Sequence, residues 1–318
     1  MEPAGQPQTT VLEEPGPGVA VTDVWRFFGD FPALGGMSFT APYGQVTALV
    51  GPNGAGKTTL LLILASLLKP HRGRALVAGC DPSVDPAGVR AATGWMPDAF
   101  GVYDQLTVRE YLQFFGRAYR LDRGTVASRV AELLELVHLT EFTDRPVHVL
   151  SRGQKQRLAL TRALVHRPRV LLLDEPASGL DPRSRVELRD ILRGLAAQGS
   201  AVLVSSHILT ELEEIADRVV LVAGGRTVGE YAMTDLRAQA SRAYRVRALD
   251  PAALTTALRD KGIAHSPGNG GAELPELTEA RAAQVLADLV AAGVPVVAFE
   301  PVGSDLESVY LAMTEERR

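Results

Sequence analysis

The sequence predicts an α/β fold in which buried strands alternate with helices, followed by a small α+β domain at the C-terminal end. Three observations favour this fold. Short apolar runs such as Val46–Val50 and Val170–Leu173 alternate with segments of helical periodicity. A glycine-rich loop joins the first of these runs to a helix. After about residue 238 the pattern changes to shorter strands and helices separated by turn residues.

Composition limits the classes of function. The chain has 318 residues, which suits about two domains, and its apolar share of 46% supports a sizeable core. Its 33 basic and 37 acidic residues give a formal net charge of −4, so the charge balance offers no reason to expect nucleic-acid binding. The single cysteine, Cys80, excludes an intramolecular disulfide and suits a reducing compartment.

A membrane role is expected only through a partner. The longest apolar stretch near the glycine-rich loop, Leu60–Ala65, is far shorter than the ~18–20 residues that a membrane span needs. The N-terminus lacks the basic-then-apolar pattern of a signal peptide. Met1–Gly18 is rich in Pro, Gly, Glu and Thr without any period, which predicts a disordered tail.

The glycine-rich loop fits G-x-x-x-x-G-K-[ST], the pattern of phosphate-binding loops. Its residues are Gly51, Pro52, Asn53, Gly54, Ala55, Gly56, Lys57, Thr58 and Thr59. A strand over Val46–Val50 enters the loop, and a helix predicted over Thr58–Leu68 leaves it and ends at Lys69-Pro70. The glycines let the backbone wrap round a phosphate, and the N–H groups at the helix start face the anion. Lys57 is expected on the β- and γ-phosphates and Thr58 on Mg²⁺.

An aromatic cluster, Trp25–Gly29, follows a strand that begins over Val19–Val24. A ring upstream of a phosphate loop can stack on a purine, although the cluster taken alone favours ordinary core or hairpin packing. Further strands are predicted over Gly73–Gly79 and Thr93–Pro97. Asp98 lies just past the second of these, where α/β sheets commonly place ligand-contacting groups.

A helical insertion is predicted between about residues 100 and 150. Thr107 is a plausible N-cap, and Glu110 completes a capping box. The apolar stripe that follows is most simply core, and consists of Val126, Val130, Leu133, Leu134 and Val137. Ser151 then caps a second helix start that could hold an anion, which is a weak signal by itself because many helices begin with serine.

Two carboxylates, Asp174 and Glu175, end the predicted buried strand Val170–Leu173. Carboxylates there are costly to bury unless a cation or a reaction uses them. Asp174 suits the Mg²⁺ shell, and Glu175 suits orientation or partial deprotonation of an attacking water. The alternative is a strand that simply ends at solvent.

The chain then continues the same α/β pattern. Asp181 caps a helix that has Pro182 at its first position. Ala201–Ser205 is one more buried strand, and His207 follows its end. His207 could hydrogen-bond a γ-phosphate oxygen or could simply be a surface histidine. A hairpin is predicted over Val219–Gly225 and Arg226–Glu230. The predicted C-terminal elements are a strand over Tyr244–Ala248, a helix over Pro251–Lys261, a turn over Ser266–Gly271, a helix over Thr278–Ala292 and a strand over Val294–Phe299. Those last elements roughly trace a split β-α-β architecture with no catalytic constellation.

Taken in order, these motifs resemble the ATP-binding cassette (ABC) ATPases over roughly Val19–Ala238. The segments that carry the resemblance are the phosphate loop, Leu150-Ser151-Arg152-Gly153-Gln154, Leu171-Leu172-Leu173-Asp174-Glu175-Pro176, Ser178-Gly179-Leu180-Asp181 and His207. The tail looks like that of the subfamily that drives type-2 ABC exporters, and Asp305–Leu311 resembles the short helix that often closes such chains. The resemblance implies a P-loop NTPase core with an antiparallel β subdomain and a helical subdomain at about 98–158. An accessory domain over 239–318 follows.

The resemblance also implies a role for each candidate residue, with ATP and Mg²⁺ as ligands. Phe28 would stack on adenine, and the loop residues 51–59 would bind the phosphates and the metal. Asp174 would hold Mg²⁺, Glu175 would act as the catalytic base and His207 would sense the γ-phosphate. The residues expected to reach the nucleotide of a second, facing copy are Ser151, Gly153 and Gln154, with Asp181 helping to couple the two sites.

Three positions depart from the family's usual pattern. Asp98 stands where the family usually has Gln, and its carboxylate could still approach Mg²⁺ through water. Arg152 replaces the more usual Gly but leaves Ser151 and Gly153 in place. Phe28 replaces Tyr, which keeps the stacking face and loses a hydroxyl.

The sequence therefore indicates the ATPase subunit of an export-type transporter, cytoplasmic and peripheral on the inner face of the membrane. Its expected partners are a second cassette, in a homodimer, and a separate transmembrane permease that docks near Asp98–Tyr111. One alternative is a soluble ABC-type ATPase that acts on ribosomes or DNA; a single cassette, the absence of a heptad run and the lack of basic surplus argue against it. Another is a nucleotide-gated binding module, against which intact Asp174, Glu175 and His207 argue.

Overall fold

A computed structural model describes residues 16–99, 101, 103, 105–206, 209–239, 242–268 and 271–302. His207 and Asp305–Leu311 lie outside the described residues, as does most of the predicted tail Met1–Gly18. Within the described ranges, none of the helices combines the length and the apolar character that crossing a membrane requires.

The strands and helices alternate along most of the chain. The strands are β1 (Val19–Phe28), β2 (Phe31–Ala41), β3 (Val46–Val50), β4 (Arg72–Val77), β5 (Thr93–Met96), β6 (Val170–Asp174), β7 (Ala201–Ser206), β8 (Arg218–Ala223), β9 (Arg226–Ala232), β10 (Arg242–Ala248), β11 (Ser266–Gly268), β12 (Gly271–Leu277) and β13 (Val296–Val302). The α-helices are α1 (Lys57–Leu64), α2 (Pro86–Ala92), α3 (Val108–Ala118), α4 (Arg123–Leu136), α5 (Arg152–Leu164), α6 (Pro182–Ala197), α7 (Leu209–Ile215), α8 (Met233–Gln239), α9 (Pro251–Asp260) and α10 (Glu279–Ala291).

The central sheet has six strands in the order β5-β6-β7-β3-β8-β9. Its strands run parallel except β9, which pairs with β8 as an antiparallel hairpin. Asp174 at the end of β6 is in register with Ser205 of β7, and Leu49 of β3 is in register with the same serine. The loops that leave these three strands therefore meet at one edge of the sheet, where ligands bind in folds of this kind.

Side chains of the central strands alternate between two hydrophobic cores, as a period of two requires. Val46, Ala48 and Val50 of β3 pack into one core together with α3, α4 and α5. Leu49 points into the other core, which contains α1 and an antiparallel sheet of order β2-β1-β4. The helical insertion predicted from the sequence thus shares a core with the strand that carries the phosphate loop.

The C-terminal elements form a separate antiparallel sheet of order β11-β12-β10-β13, with its own hydrophobic cluster that includes α9 and α10. The chain order β-α-β-β-α-β and this strand order correspond to the split β-α-β architecture. The predicted turn over Ser266–Gly271 is wrong in part, because Ser266–Gly268 forms β11. Gly271–Leu277 forms β12, which the sequence does not predict because Pro275 interrupts its alternation.

The first helix is shorter than the sequence predicts. It ends at Leu64, one turn before the predicted end at Leu68. Ser66 takes a left-handed backbone conformation with φ of 61°. The N–H groups of Leu67 and Leu68 both donate to the carbonyl oxygen of Leu62. The chain therefore leaves the helix through a left-handed residue, a common way to end a helix, before Lys69-Pro70 is reached.

Candidate functional site

The phosphate loop joins β3 to α1, and two of its glycines are required by close approach of other backbone. A Cβ on Gly51 would lie 2.2 Å from the carbonyl oxygen of Val222, and one on Gly56 would lie 2.6 Å from that of Ala33. Gly56 is also the N-cap of α1, with φ of 97°. Because Gly56 has no side chain with which to cap α1, the N–H groups of the first turn are available to an anion.

Lys57 already lies inside this loop. Its side chain is 7% exposed, and Nζ donates to the carbonyl oxygens of Gly51 at 2.7 Å and Pro52 at 3.3 Å. Burial lowers the pKa of the Lys57 ammonium, an effect that the negative charges of Glu175 and Asp174 oppose. The loop thus holds the ammonium of Lys57 against main-chain carbonyl oxygens, which places a cation where a polyphosphate would bind.

Asp174 is the buried carboxylate of the site, 2% exposed at the end of β6. Its Oδ2 accepts a hydrogen bond of 2.8 Å from Thr58 Oγ1, and its Oδ1 accepts one from Ser205 Oγ. The sequence predicts Ser205 at the end of a strand and indicates no role for it. Its signal was available, because adjacent parallel strands that end together bring their last side chains into contact.

Thr58 and Asp174 offer the oxygen ligands that Mg²⁺ prefers. Among the described residues there is no group of three or more His, Cys, Asp or Glu side chains able to hold a metal ion by itself. One hydroxyl and one carboxylate therefore fit a cation that takes its remaining ligands from phosphate oxygens and water, as Mg²⁺ does at nucleotide sites.

Glu175 has an unusual backbone, with φ of 49°. Its N–H donates to Ser205, to the carbonyl oxygen at 3.1 Å and to Oγ at 3.2 Å. The residue is partly buried and lines the same cleft as the phosphate loop. A left-handed non-glycine residue costs about 1–2 kcal/mol, so the surrounding contacts must hold it in place.

An open cleft brings most of the predicted residues together. Beside the loop residues Asn53–Thr59, it is lined by Phe28, Phe31, Ala33, Asp98 and Glu175. The Phe28 ring is half exposed, and the guanidinium carbon of Arg26 lies 5.0 Å from its centroid. Arg26 covers one face of the ring by a cation–π contact.

Phe31, which the sequence analysis did not single out, lines the cleft beside Phe28 and is 64% exposed. The two residues are directly opposed across the β1–β2 hairpin. The dipeptide Gly29-Asp30 between them is a two-residue turn, and that turn was the signal that could have paired the two phenylalanines.

The cleft lining does not include Ser151, Gly153, Gln154 or Asp181. Ser151 begins α5 in a capping box, in which its N–H donates to Gln154 Oε1 at 2.8 Å and its Oγ accepts from Gln154 N at 3.3 Å. Asp181 caps α6 through the N–H of Ser184 at 3.0 Å. These two helix starts are fully formed and lie outside the cleft that holds Lys57.

Comparisons with known proteins show which family and which proteins the chain is similar to. Residues 34–178 match the family described as ABC transporter. The ATP-binding protein NatA of Bacillus subtilis is 35% identical over 223 residues, which cover 69% of this chain and 91% of NatA. The daunorubicin resistance ATP-binding protein DrrA3 of Streptomyces coeruleorubidus is 37% identical over 221 residues, 70% of each chain. A solved structure of an ATP-binding subunit of an ABC transporter superposes with a TM-score of 0.65 at 28% identity, over 70% of this chain and 92% of that one.

Proposed function

The chain belongs to the ABC transporter family as an ATP-binding, ATP-hydrolysing subunit of an exporter, and we propose that two copies close on ATP to drive a separate membrane-spanning permease. One observation carries the proposal. The cleft of a single chain contains Lys57, Thr58 and Glu175, whereas the capped helix start at Ser151 lies outside its lining. A second copy that faces the first would supply that missing helix start to the bound nucleotide.

The nucleotide would lie along the cleft. Its base would stack on the half-exposed ring of Phe28, with Phe31 beside it. Its phosphates would be held by the loop, whose contributing residues are Gly51, Pro52, Asn53, Gly54, Ala55, Gly56, Lys57, Thr58 and Thr59. Lys57 would exchange its bonds to the loop carbonyls for phosphate oxygens, because an ionised acceptor binds an ammonium more strongly than a neutral carbonyl does.

Thr58 and Asp174 would hold Mg²⁺, with Asp98 near it through water. When bound, Mg²⁺ neutralises charge on the β- and γ-phosphate oxygens. Thr58 Oγ1 now donates its proton to Asp174 and would turn a lone pair to the cation instead. Ser205 would keep donating to the other oxygen of Asp174, which fixes the carboxylate while its partner changes.

Glu175 would accept a proton from the attacking water, or orient that water, at the edge of the cleft. Lys57 would stabilise the charge that develops on the transferred group. We also propose that His207 contacts the γ-phosphate, as the family resemblance implies.

In the dimer, Ser151, Gly153 and Gln154 would reach the nucleotide of the facing copy, and Asp181 would help to couple the two sites. The exposed N-terminus of α5 suits this role, since its first-turn N–H groups and helix dipole favour an anion. ATP would then join the two copies, and hydrolysis would cleave the γ-phosphate from ADP, so that its release as inorganic phosphate would remove the charge that joins them.

Docking of the permease is proposed on the helical insertion, especially near Asp98–Tyr111. Two aromatic rings there, Tyr103 and Phe114, are about half exposed and contact each other with centroids 5.5 Å apart. An exposed aromatic pair is typical of the centre of a protein interface. The chain would therefore sit on the cytoplasmic face of the membrane through its permease, without binding nucleic acid.

The domain division that accompanies this function is a tail over 1–18, an ATPase domain over 19–238 and an accessory domain over 239–318. The helical subdomain of the ATPase domain would occupy about 98–158. The separate sheet and separate hydrophobic cluster of the last elements support this division.

Glu175→Gln provides the decisive test. With ATP and Mg²⁺, the variant should bind nucleotide, elute as a dimer in size-exclusion chromatography with light scattering, and lose at least about 100-fold in kcat. Adding Ser151→Ala to Glu175→Gln should weaken that dimer, whereas exposed Val84→Ala in the same background should not. Turnover at the parental rate, or a monomer at saturating ATP and Mg²⁺, would contradict the proposal.

A further inference from the structure

Gln156 connects the helix capped by Ser151 to the backbone of Glu175, the proposed catalytic base of its own chain. It lies in α5 and is 7% exposed. Its Nε2 donates to the carbonyl oxygens of Glu175 at 3.3 Å and of Pro176 at 3.1 Å. A buried amide that donates hydrogen bonds to two successive carbonyl oxygens fixes the orientation of those two peptide units.

The peptide that Gln156 contacts belongs to the strained residue of the site. Glu175 has φ of 49°, and its N–H is held from the other side by Ser205. The backbone of Glu175 is thus held from β7 at its N–H and from α5 at its carbonyl. Because φ and ψ of this residue decide where its carboxylate points, a change at either contact changes the direction of that carboxylate.

We infer that Gln156 is a positioning residue that orients the Glu175 carboxylate and makes its orientation depend on the nucleotide at the start of α5. This inference rests on the proposed function, in which Ser151 contacts the nucleotide of the facing copy. From Ser151 to Gln156 the helix rises only about 7 Å, and an α-helix is stiff over that length. A small displacement of the helix start on binding therefore reaches the Glu175 peptide directly.

The effect is expected in the rate and not in nucleotide affinity. Gln156 does not line the cleft that holds the nucleotide in its own chain. The two carbonyls that it contacts belong to Glu175, which lines the cleft, and to Pro176, which does not. Loss of the contact leaves the phosphate loop and Ser151 in place, but lets the Glu175 backbone relax from its left-handed conformation.

Gln156→Leu removes the donors at nearly constant volume, and Lys155→Ala on the same helix turn is its matched control. Gln156→Leu should lower kcat by about tenfold or more, as expected for a misplaced catalytic group, with KM for ATP within about twofold of the parent. Lys155→Ala should leave both constants within about twofold. In the Glu175→Gln background, Gln156→Leu should still form the ATP-bound dimer.

Non-additivity separates positioning from general loosening of the structure. In the Glu175→Gln background the residual turnover should not fall further when Gln156→Leu is added, because the carboxylate to be positioned is already gone. If Gln156→Leu does not fold, Gln156→Asn keeps the amide but shortens its reach, and should give the same loss of kcat.

Three results would overturn the inference: an unchanged kcat in both Gln156 variants, a loss that appears only in KM, or a full further loss in the Glu175→Gln background. These outcomes are distinct from failure of the proposed function. That failure would appear in Glu175→Gln alone, as a monomer with ATP and Mg²⁺, whatever the Gln156 variants do.

Discussion

The guanidinium of Arg152 joins the start of α5 to the turn before α6 within one chain: Nη2 donates to Ser178 Oγ at 3.2 Å. Arg152 is the first residue of α5, and its side chain lies over Gly179, which has φ of 73°. A Cβ on Gly179 would be 2.4 Å from Arg152 Nε. The arginine that replaces the family's usual glycine therefore ties the start of α5 to the turn that leads to Asp181.

This relationship predicts a non-additive pair of substitutions. Gly179→Ala should cost about 1–2 kcal/mol in unfolding free energy from its left-handed backbone, and it should also displace Arg152. Arg152→Ala should cost less than about 1 kcal/mol, because the contact is exposed. The double variant carries the backbone strain and loses the Arg152 contact only once, whereas each single variant loses that contact, so chemical denaturation should show a smaller loss than the sum of the two. Additive losses would mean that a methyl group at position 179 does not disturb the Arg152 side chain.

A side chain at position 51 should destabilise the protein, whereas one at position 194 should be tolerated. A Cβ on Gly51 meets a backbone oxygen that cannot move aside cheaply, so Gly51→Ala should destabilise the protein by about 1–3 kcal/mol and weaken ATP binding. Gly194 is inside α6, and a Cβ there would meet no atom of the described residues within 4 Å apart from its neighbours in the helix backbone. Gly194→Ala should therefore stabilise by about 0.5–1 kcal/mol, measured by denaturant unfolding without nucleotide. Equal effects would contradict the close approach at Gly51.

The hydroxyl of Thr58 is expected to matter even without nucleotide. Thr58→Val keeps the shape but removes the 2.8 Å bond to Asp174, whose carboxylate is buried. Unfolding free energy should fall by about 1–3 kcal/mol in the absence of Mg²⁺ and ATP. Thr58→Ser, which retains the donor, is the control and should lose much less. A Thr58→Val protein as stable as Thr58→Ser would show that the bond contributes nothing.

Because of His166, the folded protein is expected to lose stability in mild acid. Its ring stacks on Tyr119 at 3.6 Å, and its Nε2 lies 3.1 Å from the carbonyl oxygen of Thr93. Burial lowers the pKa of His166 from 6.5 to about 4, with the nearby charge of Arg129 adding to the effect. The folded state therefore keeps the ring neutral while the unfolded chain takes up a proton. Stability is full above pH 6.5 and falls as pH drops towards 4, by up to about 3 kcal/mol.

His166→Phe keeps a ring on Tyr119 without a titrating group. The difference in unfolding free energy between pH 7 and pH 4.5 should accordingly be smaller in this variant than in the parent, by about 1–3 kcal/mol. Urea denaturation at a series of pH values measures it. An unchanged pH dependence would mean that the folded protein accepts a proton on His166 as readily as the unfolded chain.

Local signals explain how much of this site could be predicted. The caps at Thr107, Ser151 and Asp181 each depend on residues three positions apart, and all three form as predicted. The phosphate loop is equally local. By contrast, Ser205 bonds to Asp174 across 31 positions, and Gln156 contacts Glu175 across 19. Such pairings depend on which strand and helix become neighbours, which no short pattern encodes.

The shared core described above has a mechanical consequence for transport. Residues of α3, α4 and α5 belong to the same hydrophobic cluster as residues of β3 and β6, so within the described part of the chain these helices and strands share one interior. A pull delivered to them from outside would be resisted by the same close-packed side chains that support the two strands. A force applied to these helices by the permease should therefore displace the strands that carry the phosphate loop and Asp174, and so change the contacts to the bound triphosphate.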